Sequence, residues 1–176
     1  RAGKSKNKLE FAESHDAAGA MFFYVLAIIQ ALNPACVILE NVPEYANTAS
    51  MQVIRSVLAN LDYIVHEAIL DGNEFGALEK RKRLCAVGIS KGVHGFSLES
   101  LSRLKIKEPT LASVLEAVPF DDECWREFQY LADKEVRDFA AGKGFSRQLL
   151  TGNEPYCGVI GRHYAKCRST EPFICH

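Results

Sequence analysis

Apolar residues form long runs in the first half of the chain and break into short pieces in the second. The run Ala17–Leu32 is interrupted only by Gly19 and Gln30, and it falls short of the roughly 20 residues needed to cross a bilayer. It predicts a buried helix, capped by Ser14 or Asp16 and stopped by Asn33-Pro34. Ala35–Glu40 is apolar without alternation, as in a parallel strand covered on both faces. A second helix is predicted over 49–60, with Val53, Val57 and Leu58 facing inward. Strands are predicted over Tyr63–Leu70 and Arg83–Ser90, separated by the glycine-containing loop Asp71–Lys82. This order is that of the second half of an open α/β sheet, whose ligands gather at the carboxyl ends of strands. After Gly92 the glycines and prolines 95, 109, 119, 142, 144, 152, 155, 158 and 161 leave no long amphipathic period. The pattern therefore divides the chain into a first domain, 1–92, and a second, irregular one, 93–176.

Composition narrows the class. With 176 residues, 48% of them apolar, the chain can bury a core, and its net charge of −1 gives no whole-molecule field for nucleic acid. Charge is sorted locally instead. Arg1, Lys4, Lys6 and Lys8 crowd the N-terminus, Lys80-Arg81-Lys82-Arg83 form a basic run, and 143–168 carries Lys143, Arg147, Arg162, Lys166 and Arg168 against Glu154. The segment 116–138 is acidic. Six cysteines without a C-x-x-C pair, and no cleavable leader, predict reduced thiols in the cytoplasm. The scattered histidines predict no metal site, and no run predicts a membrane span. The first residue is Arg rather than Met, so the chain reads as a processed product or as part of something longer.

Candidate chemistry begins at Glu40, which closes the apolar run Val37-Ile38-Leu39 just before Pro43. A carboxylate beneath an apolar strand end can hold or share a proton near neutral pH and can bond a heterocycle. It can equally cap the next helix or pair with a nearby cation. In "FGALEKRKRLCAVGIS" (75–90), Arg81 and Arg83 stand two apart where a strand begins, so they are expected on one face. Two guanidiniums there can grip a phosphate and a base carbonyl, or form a solvated edge. The stretch 143–168 interleaves basic, aromatic and glycine residues. It can reach phosphates and base edges, or remain a solvated basic face.

Taken in order, these stretches resemble the cytosine-5 DNA methyltransferase family. "NPACVILENVPEY" (33–45) is similar to its glutamate motif, and "DYIVHEAILDGNEFGALEKRKRLCAVGIS" (62–90) to the motif that carries its paired arginines. "RAGKSK" at the start is similar to the loop beyond the family's Pro-Cys nucleophile. The family's Val-Pro-Gln is replaced by Ala77-Leu78-Glu79, while both arginines stay in place. The glycine-rich S-adenosylmethionine loop and the Pro-Cys have no counterpart here, and Cys36, following Pro34-Ala35, reads as a small core residue.

The resemblance implies a Rossmann-like S-adenosylmethionine-dependent methyltransferase half-sheet, 1–92, followed by a target-recognition region, 93–176. In the reaction it implies, a thiolate attacks C6 of a flipped cytosine in duplex DNA and C5 then takes the methyl group. Glu40 would bond or protonate N3 and hold the exocyclic amine. Arg81 and Arg83 would hold the O2 edge and adjacent backbone, with Asn41 fixing the turn. Lys4, Lys143, Arg147, Arg162, Lys166 and Arg168 are expected to contact DNA. An enzyme of the same family acting on RNA is a close variant. The alternatives are a non-catalytic DNA-binding or split-enzyme subunit and an unrelated small α/β domain with a structural Glu40. The isolated chain is expected to be inactive and to associate with itself or with a complementary methyltransferase fragment.

Overall fold

The computed structural model describes residues 19–162 and 164–175. Lys4 and the basic stretch 1–8, the helix start expected at Ser14 or Asp16, His163 and His176 lie outside them. The chain divides into two units, one of residues up to Leu70 with Lys82–Leu104, the other of Asp71–Arg81 with Lys105–His176. The division read from the pattern at 92/93 thus falls inside the first unit, and 71–81 belong with the second.

In the first unit, α1 (Met21–Leu32) ends at Asn33, whose φ of 43° is left-handed and whose N–H bonds the Ile29 carbonyl at 2.8 Å. Asparagine tolerates that conformation better than most residues, which is why it can stop this helix. β1 (Cys36–Asn41) follows, then a short 3-10 turn Pro43–Asn47 that opens on proline, the residue suited to a first helical position. Thr48 is extended, and its hydroxyl accepts from Met51 N–H at 3.2 Å to cap α2 (Ala49–Asn60). β2 (Tyr63–Asp71) and β3 (Lys82–Ser90) complete a sheet of order β1-β3-β2.

β3 runs antiparallel to β1, with Cys36 opposite Ile89 and Glu40 opposite Cys85. This corrects the expectation of a parallel β1 covered on both faces. β3 is the central strand, with Leu84, Ala86, Val87 and Ile89 all buried. β1 alternates instead, burying Val37 while Cys36 is exposed and Ile38 is 70% exposed. It carries no partner strand on its other side among the described residues. Cys36 is therefore not a core residue.

The core joins Leu26 and Ile29 of α1, Met51, Ile54 and Leu58 of α2, and Val37, Tyr63, Leu84 and Ala86 of the sheet. In α2 the inward face is phased on Met51, Ile54 and Leu58, so Leu58 faces in as expected, Val57 is partly buried and Val53 is exposed. That phasing follows the i, i+3, i+7 rule from Met51, a residue the valine count passed over. α1 differs more. Only Leu26 and Ile29 are buried, and Met21, Phe23, Tyr24, Val25, Ile28 and Leu32 are exposed, so the helix is not a buried one here. Across the unit, Arg55 of α2 binds Glu67 of β2 through Nε (2.6 Å) and Nη2 (2.8 Å) and also reaches the Ala46 carbonyl. The Arg55 hydrogen bond holds the Glu67 carboxyl below its usual range.

In the second unit, 71–81 is stitched to later residues. Lys80 N–H and Cys157 N–H bond the Cys157 and Leu78 carbonyls at 3.1 and 2.9 Å, and the buried Asn73 donates to the Pro155 carbonyl. α3 (Gln129–Ala140) follows, and β4 (Gln148–Leu150) pairs in parallel with β5 (Pro172–Ile174). α3 corrects the reading that no long amphipathic period follows Gly92. It buries Leu131 and Asp138, while its apolar repeat Ala132, Val136, Phe139 and Ala140 leaves Val136 and Phe139 exposed. No described helix is long and apolar enough to cross a membrane.

Candidate functional site

Antiparallel pairing brings the amino end of β3 to the carboxyl end of β1. Cys85 lies opposite Glu40, so Arg83, two residues earlier on the same face of β3, is its diagonal neighbour, within reach of a long side chain. The contact forms: Arg83 Nε stands 2.7 Å from Glu40 Oε1. Arg83 Nη1 also donates to the Lys82 carbonyl at 2.8 Å, which fixes the fork. Arg83 is 28% exposed and Glu40 63%. The low-dielectric setting expected for Glu40 is therefore absent from the described residues, because the edge position of β1 leaves the carboxylate open to water. Burial pushes the Cys85 thiol, opposite it, up.

Asn41 ends the strand, and its Oδ1 accepts from Val42 N–H at 2.9 Å, which sets the turn into Pro43. Glu40 and Asn41 also line an open cavity of about 370 Å³ walled by Phe22, Leu26, Ile38 and Met51. This is within the size range of small-molecule sites and largely apolar.

Arg81 lies outside β3, which begins at Lys82, so the two-residue alternation that would align it with Arg83 does not apply. It belongs to the second unit. There its N–H bonds Asp71 Oδ1 at 3.0 Å, and its guanidinium lies 3.6 Å from Glu79 Oε1, the residue that departs from the family pattern. The structure thus brings Glu40, Asn41 and Arg83 together and gives Arg81 a partner of its own.

The expected DNA-contacting cations divide into two groups. Lys143 pairs with Asp138 at 3.8 Å, and Arg147 with Glu135 at 2.8 Å. Arg162, Lys166 and Arg168 are exposed and have no ion pair among the described residues. Glu135 and Asp138 were not singled out from sequence. Their spacing on one helix, followed closely by Gly142 and Lys143, is the signal that could have found them. All six cysteines are free, and no group of three or more His, Cys, Asp or Glu among the described residues could hold a metal.

The profile of the C-5 cytosine-specific DNA methylase family matches residues 4–157. Type II methyltransferase M.SsoII of Shigella sonnei is 27% identical over 86% of this chain and 42% of its own length. Type II methyltransferase M.HaeII of Haemophilus aegyptius is 34% identical over 91% of this chain and 46% of its own. The chain thus spans less than half the length of these relatives. Among solved structures, the S. pombe Dnmt2 methyltransferase superposes with a TM-score of 0.68 at 17% identity, covering 86% of this chain and 48% of that one. The Entamoeba histolytica methyltransferase EhMeth gives 0.66 at 16% identity, covering 97% and 51%. The Rossmann-like fold is shared with both.

Proposed function

This chain belongs to the C-5 cytosine-specific DNA methylase family, and on that premise we propose that it supplies the base-holding side of cytosine-5 methyl transfer on duplex DNA. The observation that carries this reading is the Glu40–Arg83 ion pair at the carboxyl end of β1, beside the apolar cavity. When a nucleophile adds to C6 of an extruded cytosine, negative charge builds on the ring, and a partner placed at N3 stabilises it. Glu40, steered by Arg83 and held at a turn fixed by Asn41, is that partner, and it selects cytosine by bonding N3 and the exocyclic amine. Arg81 meets nucleic acid if it exchanges Glu79 for it, which the loose 3.6 Å pairing permits. The first unit acts as part of the catalytic domain, and the second as the target-recognition region.

S-adenosylmethionine supplies the methyl group in this reaction. The link from β1 to α2, residues 42–48, contains no glycine, and no residue of this chain is assigned to hold the cofactor. None of the six cysteines follows a proline, so no nucleophile is assigned either, and the isolated chain is held to be inactive. The exposed apolar face of α1 and the side of β1 that has no partner strand among the described residues are then the surfaces that a complementary methyltransferase segment covers. Such cover desolvates Glu40. Self-association is the competing way to bury the same surface.

DNA binding is tested by titrating a duplex with the chain across a range of salt. Neutralising each phosphate contributes about 0.9 to the slope of log affinity against log salt. Alanine at Arg162, Lys166 and Arg168 is expected to lower both affinity and slope by about one unit of slope per contacting cation. Lys143→Ala is expected to lower the slope less than these, because Asp138, bound first by Lys134, offsets part of that charge. A slope that follows Lys143 and ignores 162–168 would reassign the binding face.

A further inference from the structure

α3 ends in a way that folds the next residues back along it. Gly142 has a φ of 67°, and the N–H groups of Gly142 and Lys143 bond the Phe139 and Asp138 carbonyls at 3.0 and 2.8 Å. These are the paired bonds of a Schellman turn, and the left-handed residue is the glycine that this turn favours. The returning strand of chain is then tied to the helix at three points. Lys143 lies 3.8 Å from the buried Asp138, which Lys134 also binds. The Lys134 ammonium sits 3.7 Å over the Phe145 ring, a cation–π contact. Glu135 closes the clamp with three bonds, from Ser146 Oγ at 3.0 Å, Arg147 N–H at 2.8 Å and Arg147 Nε at 2.8 Å. Those bonds, from the Arg147 backbone first and its side chain next, hold the Glu135 carboxyl below its usual range.

The clamp occupies one edge of the Arg147 guanidinium and leaves the other. Nε is bound to Glu135, while neither Nη is hydrogen-bonded among the described residues. Arg147 also lines an open groove of about 800 Å³ with Trp125, Phe128, Leu149 and Phe173. A planar fork held in place by a carboxylate loses little freedom on binding, and its paired Nη groups fit the two acceptors, O6 and N7, of guanine. We infer that Arg147 reads a guanine of the target duplex and that Glu135 is the positioning residue that presets it. The inference rests on the DNA-binding reading above and deepens it.

The test starts from a pool of duplexes with a randomised core, from which the 176-residue chain selects its preferred sequence. Affinity is then measured on that duplex and on the same duplex carrying 7-deazaguanine, which lacks the N7 acceptor and keeps the backbone. The wild-type chain is expected to select a guanine at one position and to lose about tenfold or more in affinity when N7 is removed there. Arg147→Met keeps an unbranched stem but has no donor for N7 or O6, so it binds both duplexes equally. Glu135→Gln falls in between, with an unchanged circular dichroism spectrum, and Glu135→Asp recovers part of the discrimination. If Glu135→Gln fails to fold, Arg147→Met still decides, because it preserves the backbone bond to Glu135. Full sensitivity to N7 in Arg147→Met, or undiminished discrimination in a folded Glu135→Gln, would overturn the inference. Duplex binding without any guanine preference overturns it while leaving the DNA reading intact. No binding to any duplex removes the DNA reading, and this inference with it.

Discussion

Glu40→Gln lowers kcat for methyl transfer by about 10²- to 10³-fold in an enzyme reassembled from this chain and a family segment carrying the Pro-Cys and cofactor motifs, the loss typical of removing one group aimed at developing charge. Glutamine keeps the shape and can still bond the cytosine edge, but it cannot share a proton with N3. It also removes the anion that Arg83 holds at 2.7 Å. KM should change far less than kcat, because the ground-state contacts are largely preserved. Arg83→Lys serves as the control: it keeps a cation near Glu40 but loses the Nε donor, and its loss should be smaller. Steady-state kinetics on the three forms checks this. Equal kcat in wild type and Glu40→Gln would make Glu40 an ordinary partner of Arg83.

Leu58→Ala destabilises the first unit by about 2–5 kcal/mol, the range for deleting a buried leucine side chain without full collapse of the surroundings. Leu58 is 1% exposed and packs in one cluster with Met51, Ile54, Tyr63 and Leu84, from helix and sheet together. For a unit of this size the midpoint of thermal unfolding should fall by roughly 8 °C or more. Phe139→Ala, at a side chain 83% exposed, is the comparison and should stay within about 0.5 kcal/mol of wild type. A loss below about 1 kcal/mol at Leu58 would mean that α1, with its open outer face, settles into the vacated space.

The difference between what the sequence made legible and what it did not follows the range of the forces involved. α2 was readable from end to end, because its limits depend on local chemistry, including the Thr48 cap. The positions of β1 and β3 were readable to within a residue for the same reason. Burial was not. Whether Cys36 or Ile38 is covered depends on which strand lies beside β1, and an apolar run does not say so. α3 was passed over although Ala132, Val136, Phe139 and Ala140 repeat at helical spacing, because the flanking glycines and prolines drew the reading and its buried face holds Leu131 and Asp138 instead. At the site, Glu40 and Asn41 were visible as a carboxylate and amide closing an apolar strand. Arg83 joined them through antiparallel register, which makes it a diagonal neighbour. Arg81 did not, because the strand starts one residue after it and Glu79 claims its side chain. The Glu135–Arg147 clamp lies in pairings across twelve residues, visible only once the Schellman turn folds the chain back.

Transfer of a labelled methyl group from S-adenosylmethionine to duplex DNA, with the product base identified, tests the proposed chemistry most directly. The expected result is no label with the 176-residue chain alone, since none of its six cysteines follows a proline. Label should appear at C5 of cytosine once a family segment with the Pro-Cys and cofactor motifs is added. Labelled cytosine from the chain alone, or no label from the folded, reassembled pair, would contradict it.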